Sequence, residues 1–185
     1  MALRVIAGTA GGRKLVAPKG GARPTTDRLK EALFSSLGPR VNDATVLDLY
    51  AGSGALAIEA LSRGAGSAVL VDRDPAASAA MRANLETTGF VTDARVQRVD
   101  VGRFVTAPIA DGPFDLVFLD PPYEVPSEEV AAVLAALAAS DAVTVGGTVV
   151  LERPKSGEPV RLPDGWGIER ERAYGDTLVV VARAG

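Results

Sequence analysis

The stretch TVLDLYAGSGALAIEALSRG, residues 45–64, decides the fold. Its first six residues, TVLDLY, are apolar and β-branched enough to read as a strand. Gly52 and Gly54 then make a tight turn, and the Ala- and Leu-rich run over 54–63 reads as a helix ending near Gly64. A strand that passes through a glycine turn straight into a helix is the opening unit of a parallel α/β sheet. Glycines at that junction also let the backbone approach a ligand closely. Ala57 stands where a dinucleotide fingerprint would carry its third glycine.

The same alternation continues towards the C-terminus. SAVLVD (67–72) and ARVQRV (94–99) read as strands. The helices between and after them span 75–88, with Pro75 in the first turn and Gly89 at the end, and 101–107. FDLVFLD (114–120) is nearly continuously apolar, as a central strand buried on both faces must be. A helix over 127–139 puts Val130, Val133, Leu134 and Leu137 on one face, and TVVLER (148–153) is the next strand. The last two strands, 167–174 and 177–183, are joined at Gly175-Asp176 and so run antiparallel. Towards the N-terminus, TTDRLKEALFSSLG reads as a helix with Thr26 as N-cap and Asp27 in its first turn. LRVIAG and RKLVAP, around Gly11-Gly12, read as a β-hairpin. The expectation is an α/β, doubly wound, mainly parallel seven-stranded sheet over residues 23–185, with C-terminal antiparallel strands and an N-terminal β-hairpin arm over 1–22.

Composition narrows the chemistry. The 185 residues hold no His and no Cys, which excludes His general-base chemistry, Ser-His-Asp and Cys-His arrangements, thiolate nucleophiles and disulfides. No metal is expected, although an all-oxygen Mg²⁺ site stays open. The apolar stretches 130–139 and 142–151 are each too short to span a bilayer, and the opening residues do not read as a signal peptide. No membrane partner and a cytoplasmic location are therefore expected. The net charge of −3 divides unevenly. Residues 1–40 carry eight basic and two acidic residues, a charge of +6, and the rest carries −9. A basic head sits on an acidic body.

Two groups of residues point to a site. Asp72 ends the second strand, 20 residues after Gly52, where a carboxylate can accept from both hydroxyls of a ribose or cap the following helix. Asp74 is the better cap, because Pro75 then fits the first helical position. Asp100 ends the third strand, where it can reach an adenine amino group or serve as an N-cap. The sharper signal is Asp120-Pro121-Pro122-Tyr123 after the fourth strand. Two prolines stiffen the turn, so the Asp120 carboxylate and the Pro121 carbonyl become two fixed acceptors for one exocyclic amino group. Tyr123 offers a flat face on which a nucleobase can stack.

The pairing of DLYAGSG with DPPY resembles the S-adenosylmethionine (AdoMet)-dependent methyltransferases that modify amino groups of nucleic-acid bases. With RVIAGTAGGRKL, RPTTDRLKEALFSSL, DLYAGSGALAIEALSRGA, FDLVFLDPPY and the tail containing Trp166 and YGDTLVVV, the whole chain resembles the bacterial 16S ribosomal RNA guanine-N2 methyltransferase family (RsmD-like). The resemblance implies a class I, Rossmann-like fold and methyl transfer from AdoMet to the N2 of a guanine in 16S rRNA, of the guanine 966 type, on the small ribosomal subunit or its precursor. It implies that Asp48, Gly52 and Gly54 line the methionine and sugar part of the cofactor site, with Tyr50, Ala51, Ser53, Arg73 and Thr26 beside them. Asp72 would hold the ribose and Asp100 the adenine. Asp120, Pro121 and Tyr123 would hold and orient the guanine. Arg4, Arg13, Lys14, Lys19, Arg23, Thr25, Arg28 and Pro122 would meet the RNA. Removing residues 1–22 is then expected to weaken RNA binding more than AdoMet binding.

Other readings stand beside this one. An adenine-N6 methyltransferase shares DPPY, and a nicotinamide-dependent oxidoreductase shares the glycines and Asp72. A non-catalytic RNA-binding assembly factor would keep the fold alone. The basic head is also compatible with a solvated charged arm.

Overall fold

The computed structural model describes residues 3–18 and 26–185. Strands β1 (Thr45–Leu49), β2 (Ser67–Val71), β3 (Ala94–Gln97), β4 (Phe114–Leu119), β5 (Val143–Pro154), β6 (Gly167–Tyr174) and β7 (Thr177–Arg183) form one sheet in the order β3-β2-β1-β4-β5-β7-β6. β1 to β5 pair in parallel, and β7 runs antiparallel to β5 and β6. Helices α1 (Asp27–Leu37), α2 (Ala55–Ser62), α3 (Pro75–Thr88), α4 (Val101–Thr106) and α5 (Ser127–Ala139) cover both faces. One face packs Leu70, Leu116, Phe118 and Val150 against Phe34, Ile58 and Met81 of the first three helices. The other packs Leu47, Leu49, Val117, Leu119 and Val149 against Val101, Val105, Val130 and Leu134 of the last two. The period-two alternation of β1 and β4 feeds both layers, which is why these strands lack a polar face.

Local chemistry sets the helix ends. The Thr26 hydroxyl accepts from the Leu29 N–H (3.3 Å) and starts α1. Asp74 accepts from the Ala76 N–H (2.8 Å) with Pro75 in the first turn of α3, and Gly89 ends that helix in the left-handed region. Val130, Val133, Leu134 and Leu137 are the buried residues of α5.

β5 begins at Val143, five residues before the expected start. Gly146-Gly147 looks like a strand breaker in the sequence. In the sheet these glycines lie opposite a register shift between Phe114 and Leu116, and Gly146 takes φ +77°. A bulge absorbs what would otherwise end the strand.

The N-terminal segment folds back on itself through the antiparallel bridge Arg4↔Lys14 and the bonds Val5 N–H to Arg13 O (2.9 Å) and Leu15 N–H to Leu3 O (2.8 Å). It does not stand away from the body, because Leu3, Val5, Ala10 and Leu15 enter the same apolar core as α1 to α3. Buried polar groups fix the docking. The Glu59 carboxylate accepts from the Ile6 N–H (2.7 Å), the Ala7 N–H (3.1 Å) and Arg63 Nε (2.7 Å). Ser62 Oγ accepts from the Ala10 N–H and donates to Ala7 O. Asn84, 1% exposed, bonds both the N–H and the C=O of Val16. Lys30 is fully buried and donates to Arg4 O, so one cation of the basic head serves packing. Burial lowers its pKa, and the nearby Glu59 and Asp27 charges oppose that shift.

The docking makes a prediction about two glycines. Gly8 has φ +84°, and a Cβ there would lie 1.7 Å from Ser62 O; Gly12 has φ +83° with nothing within 4 Å. Gly12→Ala costs only the left-handed penalty of about 1–2 kcal/mol. Gly8→Ala must also lift the segment off α2, so thermal unfolding should show a clearly lower Tm for Gly8→Ala than for Gly12→Ala.

Candidate active site

In the order β2-β1-β4-β5 the chain leaves β1 towards one edge of the sheet and β4 towards the other. A crevice opens at the C-terminal ends of the strands where these directions diverge. It encloses about 510 Å³. β1 contributes Asp48 and the turn residues Tyr50, Ala51, Gly52 and Ser53. Asp72, Arg73 and Asp74 follow β2, Asp100 and Val101 follow the third strand segment, and Asp120, Pro122, Glu124 and Val125 follow β4. Leu3, Ala17 and Pro18 close one side, so the N-terminal segment is a wall of the crevice. Its removal would therefore strip that wall along with any RNA contact.

Each carboxylate has a defined setting. Asp48 is 1% exposed and accepts from the Ala57 N–H (3.1 Å). Burial pushes its carboxyl well above the ordinary range, and the negative charges of Asp120 and Asp72 push the same way. Asp72 accepts from the Gly52 N–H and the Asp74 N–H, both at 2.9 Å, and so pins the glycine turn to β2. Each oxygen keeps a second lone pair for a ligand hydroxyl. Asp100 caps α4 through the Arg103 N–H (3.3 Å), and its other oxygen lies 3.7 Å from Arg73 Nη1. The two roles open for Asp100 are thus compatible, since capping uses one oxygen.

The turn after β1 is conformationally costly. Tyr50 has φ +61°, a left-handed value that costs a non-glycine residue about 1–3 kcal/mol. Burial, with Glu129 and Asp100 nearby, pushes its phenol up to about 12, so Tyr50 stays a neutral donor. Gly54 lies behind the crevice, not in its lining. Its φ of +75° and the 2.6 Å from an added Cβ to Leu70 Cδ2 make it a packing glycine. Thr26 is likewise absent from the lining and is used as the α1 cap.

The four residues after β4 divide their roles. Asp120 faces the crevice, with its N–H bonded to Leu49 O (3.4 Å), and Pro122 lies at its rim. Pro121 is buried. Tyr123 is 49% exposed, and its hydroxyl bonds Thr177 Oγ1 of β7 at 2.9 Å. Among the basic residues, Arg4 pairs with Asp27 (2.9 Å), Arg13 donates to Thr87 O (3.2 Å), and Lys14 and Arg28 are exposed. None of these four lines the crevice. Lys19, Arg23 and Thr25 fall outside the described residues.

Glu124 and Glu129, the apolar Leu56, Ala77 and Val101, and the N-terminal Leu3, Ala17 and Pro18 line the crevice without having been singled out in the sequence. Asn84 was missed as well. Its Nδ2 donates to Ser53 O and to Val16 O, both at 2.9 Å, joining the glycine turn to the N-terminal segment. An amide on the apolar face of the 75–88 helix was the available signal. Among the described residues no group of three or more acidic side chains forms a metal site, and no helix is long and apolar enough to cross a membrane.

Comparison with known proteins agrees with this geometry. Residues 3–183 match the family described as "Conserved hypothetical protein 95". The chain is 38% identical over 184 residues to "Putative rRNA methyltransferase YlbH" of Bacillus subtilis, covering 97% of both chains. It is 34% identical over 175 residues to "Ribosomal RNA small subunit methyltransferase D" of Haemophilus influenzae, covering 94% of this chain and 89% of that one. Among solved structures, "Putative methyltransferase yhhF" from Escherichia coli superposes with a TM-score of 0.87 at 33% identity, covering 100% of this chain and 98% of that one. With the class I, Rossmann-like methyltransferase sheet and near-complete coverage by these relatives, the chain belongs to the RsmD-like family of rRNA methyltransferases described as Conserved hypothetical protein 95.

Proposed function

We propose that this protein transfers the methyl group of AdoMet to the exocyclic N2 of a guanine in 16S rRNA, on the small subunit or its precursor. The observation that carries the reading is the charge of the crevice. Among the described residues its lining holds seven carboxylates (Asp48, Asp72, Asp74, Asp100, Asp120, Glu124 and Glu129) and one guanidinium, Arg73. AdoMet brings a sulfonium and an ammonium, and its adenosine brings hydroxyls and an amino group, all suited to carboxylate acceptors. A nicotinamide dinucleotide brings a doubly charged pyrophosphate, which this lining repels. The volume also falls within the usual range for a small-molecule site.

AdoMet, when bound, supplies an electrophilic methyl group on a positively charged sulfur. Asp48, Gly52 and Ser53 would hold its amino-acid end, Asp72 the ribose and Asp100 with Val101 the adenine. The remaining work falls to the residues after β4. The guanine N2 lone pair is delocalised into the ring, so the amine is a weak nucleophile. Acceptance of its N–H bonds by the Asp120 carboxylate and the Pro121 carbonyl holds the nitrogen in line and favours its pyramidal form. As positive charge develops on nitrogen, Asp120 stabilises it and takes the surplus proton. Tyr123, with its hydroxyl held by Thr177, keeps its ring available for stacking on the displaced base.

The same acidity supports guanine as the target base. Guanine presents two donors on its Watson–Crick edge, N1–H and N2–H, whereas adenine presents one donor and one acceptor. A rim of carboxylates favours the two-donor edge. Arg13, Lys14 and Arg28, exposed outside the crevice, suit phosphates. Relatives named as rRNA methyltransferases support rRNA as the partner.

Labelled AdoMet incubated with 16S rRNA or small-subunit particles, followed by nuclease digestion and nucleoside mass spectrometry, should yield N2-methylguanosine. N6-methyladenosine would replace guanine by adenine as the target. Asp120→Ala should lower single-turnover methyl transfer by ~10²-fold or more, the usual scale for lost catalytic electrostatics. Calorimetry should show its AdoMet affinity little changed; near-normal turnover would remove Asp120 from the mechanism. AdoMet affinity should also depend on pH. A cation binds better beside an ionised carboxylate, and burial holds Asp48 protonated above the ordinary range. Affinity should therefore rise as pH climbs from that range towards neutrality, and Asp48→Asn should flatten the rise.

A further inference from the structure

One buried carboxylate has no part in the mechanism above. Glu152 of β5 is 4% exposed, and its Oε1 is sealed from solvent with no hydrogen-bond partner among the described residues. An ionised carboxylate in that position forfeits its hydration without compensation. A carboxylic acid does not, because its proton can be donated to a neighbour.

The neighbour is set by strand register. β4 and β5 pair in parallel with Leu119 opposite Leu151, so Asp120 and Glu152 are the next residues on adjoining strands. Strand spacing is about 4.8 Å. Alternation turns both side chains to the face that holds Phe118 and Val150. Burial, joined by the negative charges of Asp120 and Asp48, raises the pKa of Glu152 well above the ordinary range. Across the sheet β7 offers Val179. Arg153 follows on the strand, so its side chain takes the opposite face and donates to Val125 O (2.9 Å). From the covering helices, Lys30 is tied to Arg4 O and Asp27, and Glu59 to Arg63. Among the described residues, no cation from these elements pairs with Glu152.

We propose that Glu152 is a positioning residue for Asp120: as a carboxylic acid it donates a hydrogen bond to the Asp120 carboxylate on the adjoining strand. The bond holds Asp120 ionised and fixes the carboxylate that faces the crevice. The proton of Glu152 remains in place during methyl transfer, while the proton released from the substrate nitrogen goes to Asp120. The proposal rests on the role given to Asp120 above.

Two measurements test it. In protein carrying ¹³C at the glutamate carboxyl carbons, one resonance, missing in E152Q, should titrate above every other glutamate. It should move down towards the ordinary range in D120N, where the neighbouring negative charge is gone. A Glu152 that titrates with the exposed glutamates, or is indifferent to D120N, overturns the proposal, and this readout needs no substrate. In methylation assays, E152A should lower kcat by about tenfold or more, the effect of losing a hydrogen bond to a charged group, with AdoMet affinity retained. E152Q, which keeps a neutral donor, should recover most of that loss and stay active at alkaline pH where the wild-type enzyme, its Glu152 ionised, declines. Wild-type and E152Q profiles that superimpose, or an E152Q as impaired as E152A, overturn it too. Wild-type protein that methylates no guanine would fail the proposed function while leaving the carboxyl titration to decide Glu152.

Discussion

β1 and β4 are hydrogen-bonded neighbours, yet the chain departs from their C-terminal ends towards opposite edges of the sheet. No connection crosses the gap, so the strand ends there stay uncovered. Everything that lines the crevice is placed by this constraint. Asp48 and Asp120 are brought near each other because they end adjacent strands, although they stand 72 positions apart in the chain. Asp72 joins them from β2 and holds the glycine turn through the Gly52 N–H. The site is a row of strand ends on a rigid sheet, and its acidity has a cost. Burying like charges together raises their proton affinity, as at Asp48 and Glu152.

The N-terminal segment completes what the sheet leaves open. Its attachment depends less on strand pairing, which amounts to one bridge among the described residues, than on polar side chains sunk in the helices beneath it. Glu59 and Ser62 of α2 satisfy the backbone of residues 6–10, and Asn84 of α3 satisfies Val16. Such groups are directional, and leaving any one unpaired is expensive. They therefore fix the position of the segment in a way that apolar contacts alone would not. Asn84 extends that order into the crevice by bonding Ser53 O at the same time. The same residue thus supports a wall and the turn facing it.

Most of the architecture was legible in the sequence because its signals are local. Capping residues, the Gly52–Gly54 turn and the single apolar face of 127–139 each state their role within a few positions. The Asp74-Pro75 start and Gly89 end of α3 coincide with the observed bounds. What could not be read depends on pairing between distant residues. The Gly146-Gly147 bulge makes sense only beside Phe114–Leu116 of β4, and the N-terminal wall only beside α2 and α3. Within the site, the acids at strand ends were visible, whereas Glu124 and Glu129 look like ordinary helix-start acids until the loop after β4 folds over the crevice. Charged residues inside apolar runs, such as Glu59, Lys30 and Glu152, were the unused signal. A chain seldom buries a charge without a partner waiting for it.

The uneven charge along the chain becomes a sorting device under the proposed function. RNA offers phosphates along its whole length and a few bases that can be swung out. Carboxylates crowd the crevice, while Arg13, Lys14 and Arg28 stay exposed outside it. The acidic lining repels the backbone and admits only the part of a nucleotide that brings donors and no charge, namely the base edge. The same repulsion favours a cationic methyl donor over nucleotide cofactors that carry phosphate. A chain without His or Cys can then carry out group transfer, because the reaction asks the protein for acceptors and alignment more than for a nucleophile of its own. Acidity that would be a poor feature for an RNA-binding surface becomes, at the bottom of a crevice, the means of choosing both partners.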